Sequence, residues 1–158
     1  MGPKTIRKSA DLSKFAAKLK ELQKDERVFI DTDFPPECES IVKSAEPGGE
    51  TPHFKYHALR DTHWKRAAEI PCLLNGEGNL TLFLDDIEPD DIRMGGLDDA
   101  YFLSVLSGLA EVPDRIRELF VSQVVNPQGL FGIKLIHDGV QQEVLVDSYI
   151  PVTECGEL

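Results

Sequence analysis

The sequence predicts an α/β (α+β) fold with a central buried helix and a β-hairpin. Three observations carry that expectation. Residues 99–110 are apolar nearly all round, as a helix enclosed by its neighbours is. Two β-rich runs, residues 130–136 and 140–147, meet across His137-Asp138-Gly139, which is a hairpin signal. Hydrophobic residues make up 41% of the 158 positions and charged residues 28%, an ordinary globular balance for one domain with its own core.

In chain order, residues 1–27 form a basic segment whose Leu12, Phe15, Leu19 and Leu22 fall on one helical stripe. That stripe predicts an amphipathic helix over 11–27, packed on its own domain. Residues 28–158 are the body. Pro35 and Pro36 favour an extended segment at 29–36. Residues 44–52, with Pro47-Gly48-Gly49 and Pro52, are the most loop-like stretch. Leu80-Thr81-Leu82-Phe83-Leu84 reads as a short strand running into an acidic turn at 85–91. Gly95-Gly96 then feeds the apolar helix, with Asp98 or Asp99 as its N-cap. A second helix starts at Pro113-Asp114, proline suiting a first turn, and Ile116, Leu119, Phe120 and Val124 supply its buried face. Alternation is poor through Val144-Leu145-Val146, which predicts a strand covered on both faces. Residues 151–158 read as a turn leading onward.

Net charge is −11, with the basic surplus confined to the first 27 residues. An acidic body disfavours nucleic acid and anionic membrane, and suits a cation or a basic partner. No apolar run reaches the roughly 20 residues of a membrane span, and the first residues lack the apolar core of a signal peptide. Cys38, Cys72 and Cys155 are isolated and odd in number, so they read as reduced, structural thiols of a cytoplasmic protein.

Several segments, in order, resemble the calpain family of calcium-dependent cysteine proteases. Phe29-Ile30-Asp31-Thr32-Asp33-Phe34-Pro35-Pro36 is similar to the family's opening motif. Trp64-Lys65-Arg66-Ala67-Ala68-Glu69-Ile70 is similar to its W-K-R-P-x-E-I stretch, with Ala67 for proline. Asp91-Ile92 followed by Gly95-Gly96-Leu97 resembles the motif around the nucleophile, and Glu143-Val144-Leu145-Val146-Asp147 with Ile150-Pro151 resembles a later hairpin. The resemblance covers residues 28–158 and implies a partial papain-like protease-core lobe, the first of two.

At four positions between 94 and 101 the chain departs from the family. The resemblance places Ala100 at the catalytic Cys, Met94 at the oxyanion Gln, Asp98 at a Gly, and Tyr101 at a Trp. A helix N-terminus stabilises a thiolate, but a methyl group offers no nucleophile. Losing one oxyanion donor typically costs about 2.7–4 kcal/mol of transition-state stabilisation. No catalytic residue is therefore assigned. The expected function is that of a non-catalytic calpain-like protein acting through protein binding or regulation, its partner and oligomeric state unspecified. The alternative is the half-site of a calcium-dependent cysteine endopeptidase whose second lobe lies outside this chain.

Calcium is the one cofactor the resemblance implies, through the Asp91 carboxylate and backbone carbonyls near Leu84 and Asp86. The five acids at 85, 86, 88, 90 and 91 are the donors a hard cation takes. His53 and His57 lack the glutamate of an H-E-x-x-H site and read as unmetallated. His137 sits in the hairpin turn. Ser104 and Ser107 lack a G-x-S-x-G elbow and read as helix serines bonded back to their own helix.

Overall fold

The computed structural model describes residues 14–41, 63–83, 86–94 and 99–152, the side chain of Cys38 excepted. The expected loop at 44–52, His53, His57 and Cys155 lie outside the described residues. Helix α1 spans Lys14–Lys24. Phe15 and Leu22 are buried on its inner face, and they pack with Leu19 against the fully buried Leu130, joined by Phe29, Val121 and Leu145. The helix packs on its own domain, as its stripe predicts. It stops at Lys24 because Glu26 turns left-handed, with φ 52°. Arg27 N–H then reaches the Leu22 carbonyl at 3.0 Å and Glu26 N–H the Gln23 carbonyl at 3.4 Å, the pair of bonds that closes a Schellman turn. At the other end the Glu143 carboxylate accepts the Phe15 N–H, a negative group on the positive end of a helix.

The segment after α1 is extended, with Phe29 N–H bonded to the Gln128 carbonyl at 2.7 Å. Asp31 Oδ1 then accepts the N–H groups of Asp33 (3.0 Å) and Phe34 (3.2 Å) and turns the chain into the short helix α2, Cys38–Ile41. Strand β1, His63–Arg66, pairs antiparallel with strand β4, Tyr149–Val152. Pro151 and Val152 are thus strand residues rather than the onward turn the sequence predicts. A proline is tolerated there because this sheet has only two strands and leaves an edge free.

Strands β2, Phe131–His137, and β3, Val140–Val146, form the expected hairpin. Asp138 (φ 50°) and Gly139 (φ 75°) supply the two positive φ angles of a type I′ turn. Leu119 to Val121 lie along the other edge of β2. Lys134 N–H donates to the Leu119 carbonyl at 2.6 Å, and Val121 N–H to the Gly132 carbonyl at 2.8 Å. That approach requires glycine at 132, where a Cβ would lie 2.9 Å from Val121 Cγ2. Burial alternates along β3 and Val144 is exposed, so the strand is covered on one face only. The poor alternation of its sequence reflects an uncovered valine, not a second layer.

Helix α3, Ala100–Ala110, and helix α4, Pro113–Arg117, build a second core. Ile87, Ala110 and Ile116 are its buried residues, and Phe83 meets Phe120 edge-to-face at 5.5 Å. α4 begins with proline, as predicted, but Val124 is 75% exposed and lies beyond the helix. The predicted strand at 80–84 does not form. The chain instead turns around Asn75, whose Oδ1 accepts the N–H groups of Glu77 (3.0 Å) and Asn79 (2.9 Å), and Leu80 makes a single bridge to Leu74. Beyond it, Phe83 joins the second core. Cys72 is a free thiol and is exposed.

Arg66 joins three segments. Its Nη2 donates to the Phe29 carbonyl at 2.9 Å, its Nη1 to Ser148 Oγ at 3.2 Å, and its guanidinium lies 3.9 Å from the centroid of the Tyr149 ring. We expect Arg66→Ala to lower stability by about 2–3 kcal/mol, since two charge-assisted bonds and a cation–π contact are lost together. Arg66→Lys should recover only part of it. Urea denaturation reads both, and an unchanged midpoint for Arg66→Ala would remove this contact from the account of the fold.

Candidate functional site

The surface at the start of α3 is where sequence reasoning locates a degenerate active site. Ala100 is the first residue of the helix and is exposed. Gly95 to Asp98, which precede it in the sequence, lie outside the described residues. Asp99 holds the N-cap position, and its carbonyl accepts the N–H groups of Phe102 (2.8 Å) and Leu103 (3.1 Å). Its carboxylate makes no capping bond, and Oδ1 is buried without a partner. The side-chain cap expected of Asp99 is absent because its backbone, at φ −115° and ψ 19°, departs from the extended geometry typical of an N-cap. Met94 is 71% exposed, and its thioether has no hydrogen to donate to an oxyanion.

The helix expected to be buried all round is not. Leu103, Leu106, Ser107 and Ala110 fall on the covered stripe, at the spacing of a helix face. Tyr101, at 78%, Phe102 and Val105 face outward. The physical reason is packing on one side. Helix α3 rests on α4 and on the 3₁₀ turn Pro89–Asp91. Ser104 is bonded back to the Tyr101 carbonyl at 2.9 Å, as expected. Ser107 is not. Its hydroxyl donates to the Pro89 carbonyl at 3.3 Å and fastens the helix to that turn.

The implied calcium donors are partly visible. Asp91 Oδ2 accepts the Glu88 N–H at 2.9 Å, which closes the 3₁₀ turn, and Asp86 is exposed. Both line one cavity. Leu84 lies outside the described residues, and the described residues contain no group of three or more His, Cys, Asp and Glu able to hold a metal. Two carboxylates are far from the six to eight oxygens of a tight calcium site. His137 is exposed and lies 3.5 Å from Asp138 Oδ2, on a surface turn without other chemistry. Among the described residues no helix is long and apolar enough to cross a membrane.

Asp147 is the residue that sequence reasoning passed over. Its two oxygens accept the N–H groups of Asp31 and Tyr149, each at 2.9 Å, and it lines the same cavity as Asp86 and Asp91. The signal was present as an acid directly after a strand and two residues before the next.

Comparison with known proteins bears on this geometry directly. The profile described as calpain family cysteine protease matches residues 29–158. The chain belongs to the calpain family. It is 29% identical over 136 residues to the calpain-type cysteine protease DEK1 of Zea mays, covering 86% of this chain and 6% of that protein. It is 27% identical over 132 residues to DEK1 of Arabidopsis thaliana and 27% identical over 128 residues to calpain-13 of Rattus norvegicus, covering 84% and 80% of this chain. The chain spans 6% to 17% of the length of these relatives. Its mixture of helices and small antiparallel sheets is that of an α+β piece of a calpain protease core.

The orientation of α3 is open to a direct test on this calpain-family chain. Val105→Glu, on the outward face, should leave stability within about 0.5 kcal/mol of the parent. Ala110→Leu, at a position 1% exposed, should cost about 1–3 kcal/mol by overpacking. The reverse order in thermal denaturation would mean that α3 presents its other face to the core.

Proposed function

We propose that this chain is a non-catalytic calpain-family protein that acts by binding or regulating a protein partner. The observation that supports it most is the methyl group of Ala100 at the exposed first position of α3, where a nucleophile would have to stand. Met94 adds to it, because an exposed thioether cannot replace the N–H of an oxyanion donor. Among the described residues neither serine of α3 is bonded to a base. Ser104 and Ser107 both spend their hydroxyl hydrogens on carbonyls. The outward Tyr101, Phe102 and Val105 form an apolar surface of the kind that protein contacts cover.

The test is proteolysis. Incubated with calcium and unfolded casein, the chain should yield no fragments above background, with or without a thiol-reactive epoxide. Ala100→Cys should remain inactive, since the thiol alone does not restore the donor at position 94. Epoxide-sensitive cleavage by the parent chain would overturn the reading in favour of a half-site endopeptidase.

Weak calcium binding through the Asp91 carboxylate and the backbone carbonyls near Leu84 and Asp86 is a separate proposal, supported by the cavity that Asp86 and Asp91 share. Its affinity should lie in the range of about 10⁻⁴–10⁻³ M, as for sites with few charged ligands. Amide shifts within residues 84–96 during a calcium titration read it, and immobility up to millimolar calcium removes calcium from the description.

A further inference from the structure

A cavity of about 630 Å³ lies between the β1–β4 sheet, the β2–β3 hairpin and the second core. That volume is the size of a small-molecule site. Neither Ala100 nor Met94 lines it, so it is separate from the surface at the start of α3. Phe83, Phe120 and Phe131 give its wall aromatic faces. Among the described residues, its only charged lining residues are Asp86, Asp91 and Asp147, with no Lys, Arg or His. Two of these carboxylates are fixed in place by backbone N–H groups, Asp91 by Glu88 and Asp147 by Asp31 and Tyr149. Asp86 accepts no bond from the described residues and is exposed. The groove between α1 and β3 differs. Lys18 and Arg27 mix there with Asp31, Asp33 and Glu143, so it favours neither sign of ligand.

We propose that this cavity binds a small organic cation, an aryl- or alkylammonium whose apolar body contacts Phe83, Phe120 and Phe131 while its ammonium group faces Asp86, Asp91 and Asp147. Apolar walls with one sign of fixed charge select for this combination. An anion of the same shape meets three carboxylates, and a neutral analogue leaves them without a counter-charge. Aromatic faces add attraction for a cation that a saturated wall lacks.

The experiment is an NMR titration of the whole chain with 2-phenylethylammonium, in chelator so that calcium does not occupy Asp86 and Asp91. Benzyl alcohol and 3-phenylpropionate are the neutral and anionic controls. The ammonium should give saturable amide shifts at Phe83, Phe120, Ile133 and Ile150, with affinity falling as salt rises. Asp86→Asn should weaken it by roughly two- to five-fold, the range for one partly solvated ion pair. Leu82→Trp, which fills the cavity, should abolish the shifts. If that variant does not fold, Asp86→Asn and the two controls decide alone. Equal response to the anion, shifts located elsewhere, or no saturable shifts up to millimolar ammonium would overturn the proposal.

Discussion

The guanidinium of Arg66 holds together segments that the chain separates by more than eighty residues. It bonds the Phe29 carbonyl ahead of β1 and the Ser148 hydroxyl ahead of β4, and it stacks on Tyr149, the residue paired opposite it in the sheet. Lysine lacks the planar fork that allows all three at once. The arrangement also dictates Gly129. Its φ of 61° suits glycine, and a Cβ there would lie 3.0 Å from Ser148 Oγ and 3.3 Å from Arg66 Nη1. Asp147 works beside it by holding Asp31 and Tyr149 at fixed distances. Around this centre the first core closes on Leu130, and the hairpin is set at the height where Glu143 meets the start of α1.

The second core is built differently and has different consequences. Helix α3 rests on a short helix and one 3₁₀ turn, so one face is covered and one is not. An active site needs its nucleophile held within a fraction of an ångström by supporting side chains and flanking donors. Along α3 the covered stripe of Leu103, Leu106 and Ala110 holds the helix in place, whereas Ala100 and Met94 are exposed. What survives is what keeps the helix in place. Among the described departures near the start of α3, Met94, Ala100 and Tyr101 are exposed, where substitutions disturb the core least.

Much of this fold was legible in the sequence. The α1 stripe, the hairpin turn at Asp138-Gly139 and the proline at the start of α4 are local signals, each set by backbone geometry within a few residues. The site was legible only in part. The resemblance pointed to Ala100 and Met94, each of which is exposed, but the common cavity of Asp86, Asp91 and Asp147 depends on residues about sixty positions apart. The burial of residues 100–110 was misread for a related reason. Apolar character on every face states what a helix tolerates, and neighbours decide which face is covered.

The sequence alone determined the family, the alanine at position 100 and the acidic surplus, because these follow from which residues stand where. Tertiary structure decided the rest. It turned residues 80–83 from a strand into a link between a turn and the second core, and it made Pro151 and Val152 a strand beside β1. It also exposed Tyr101 and directed Ser107 to Pro89. For Pro151 and Val152 the deciding partner, β1, is more than eighty residues away, and in every case a contact made outside the segment leaves no periodic trace within it.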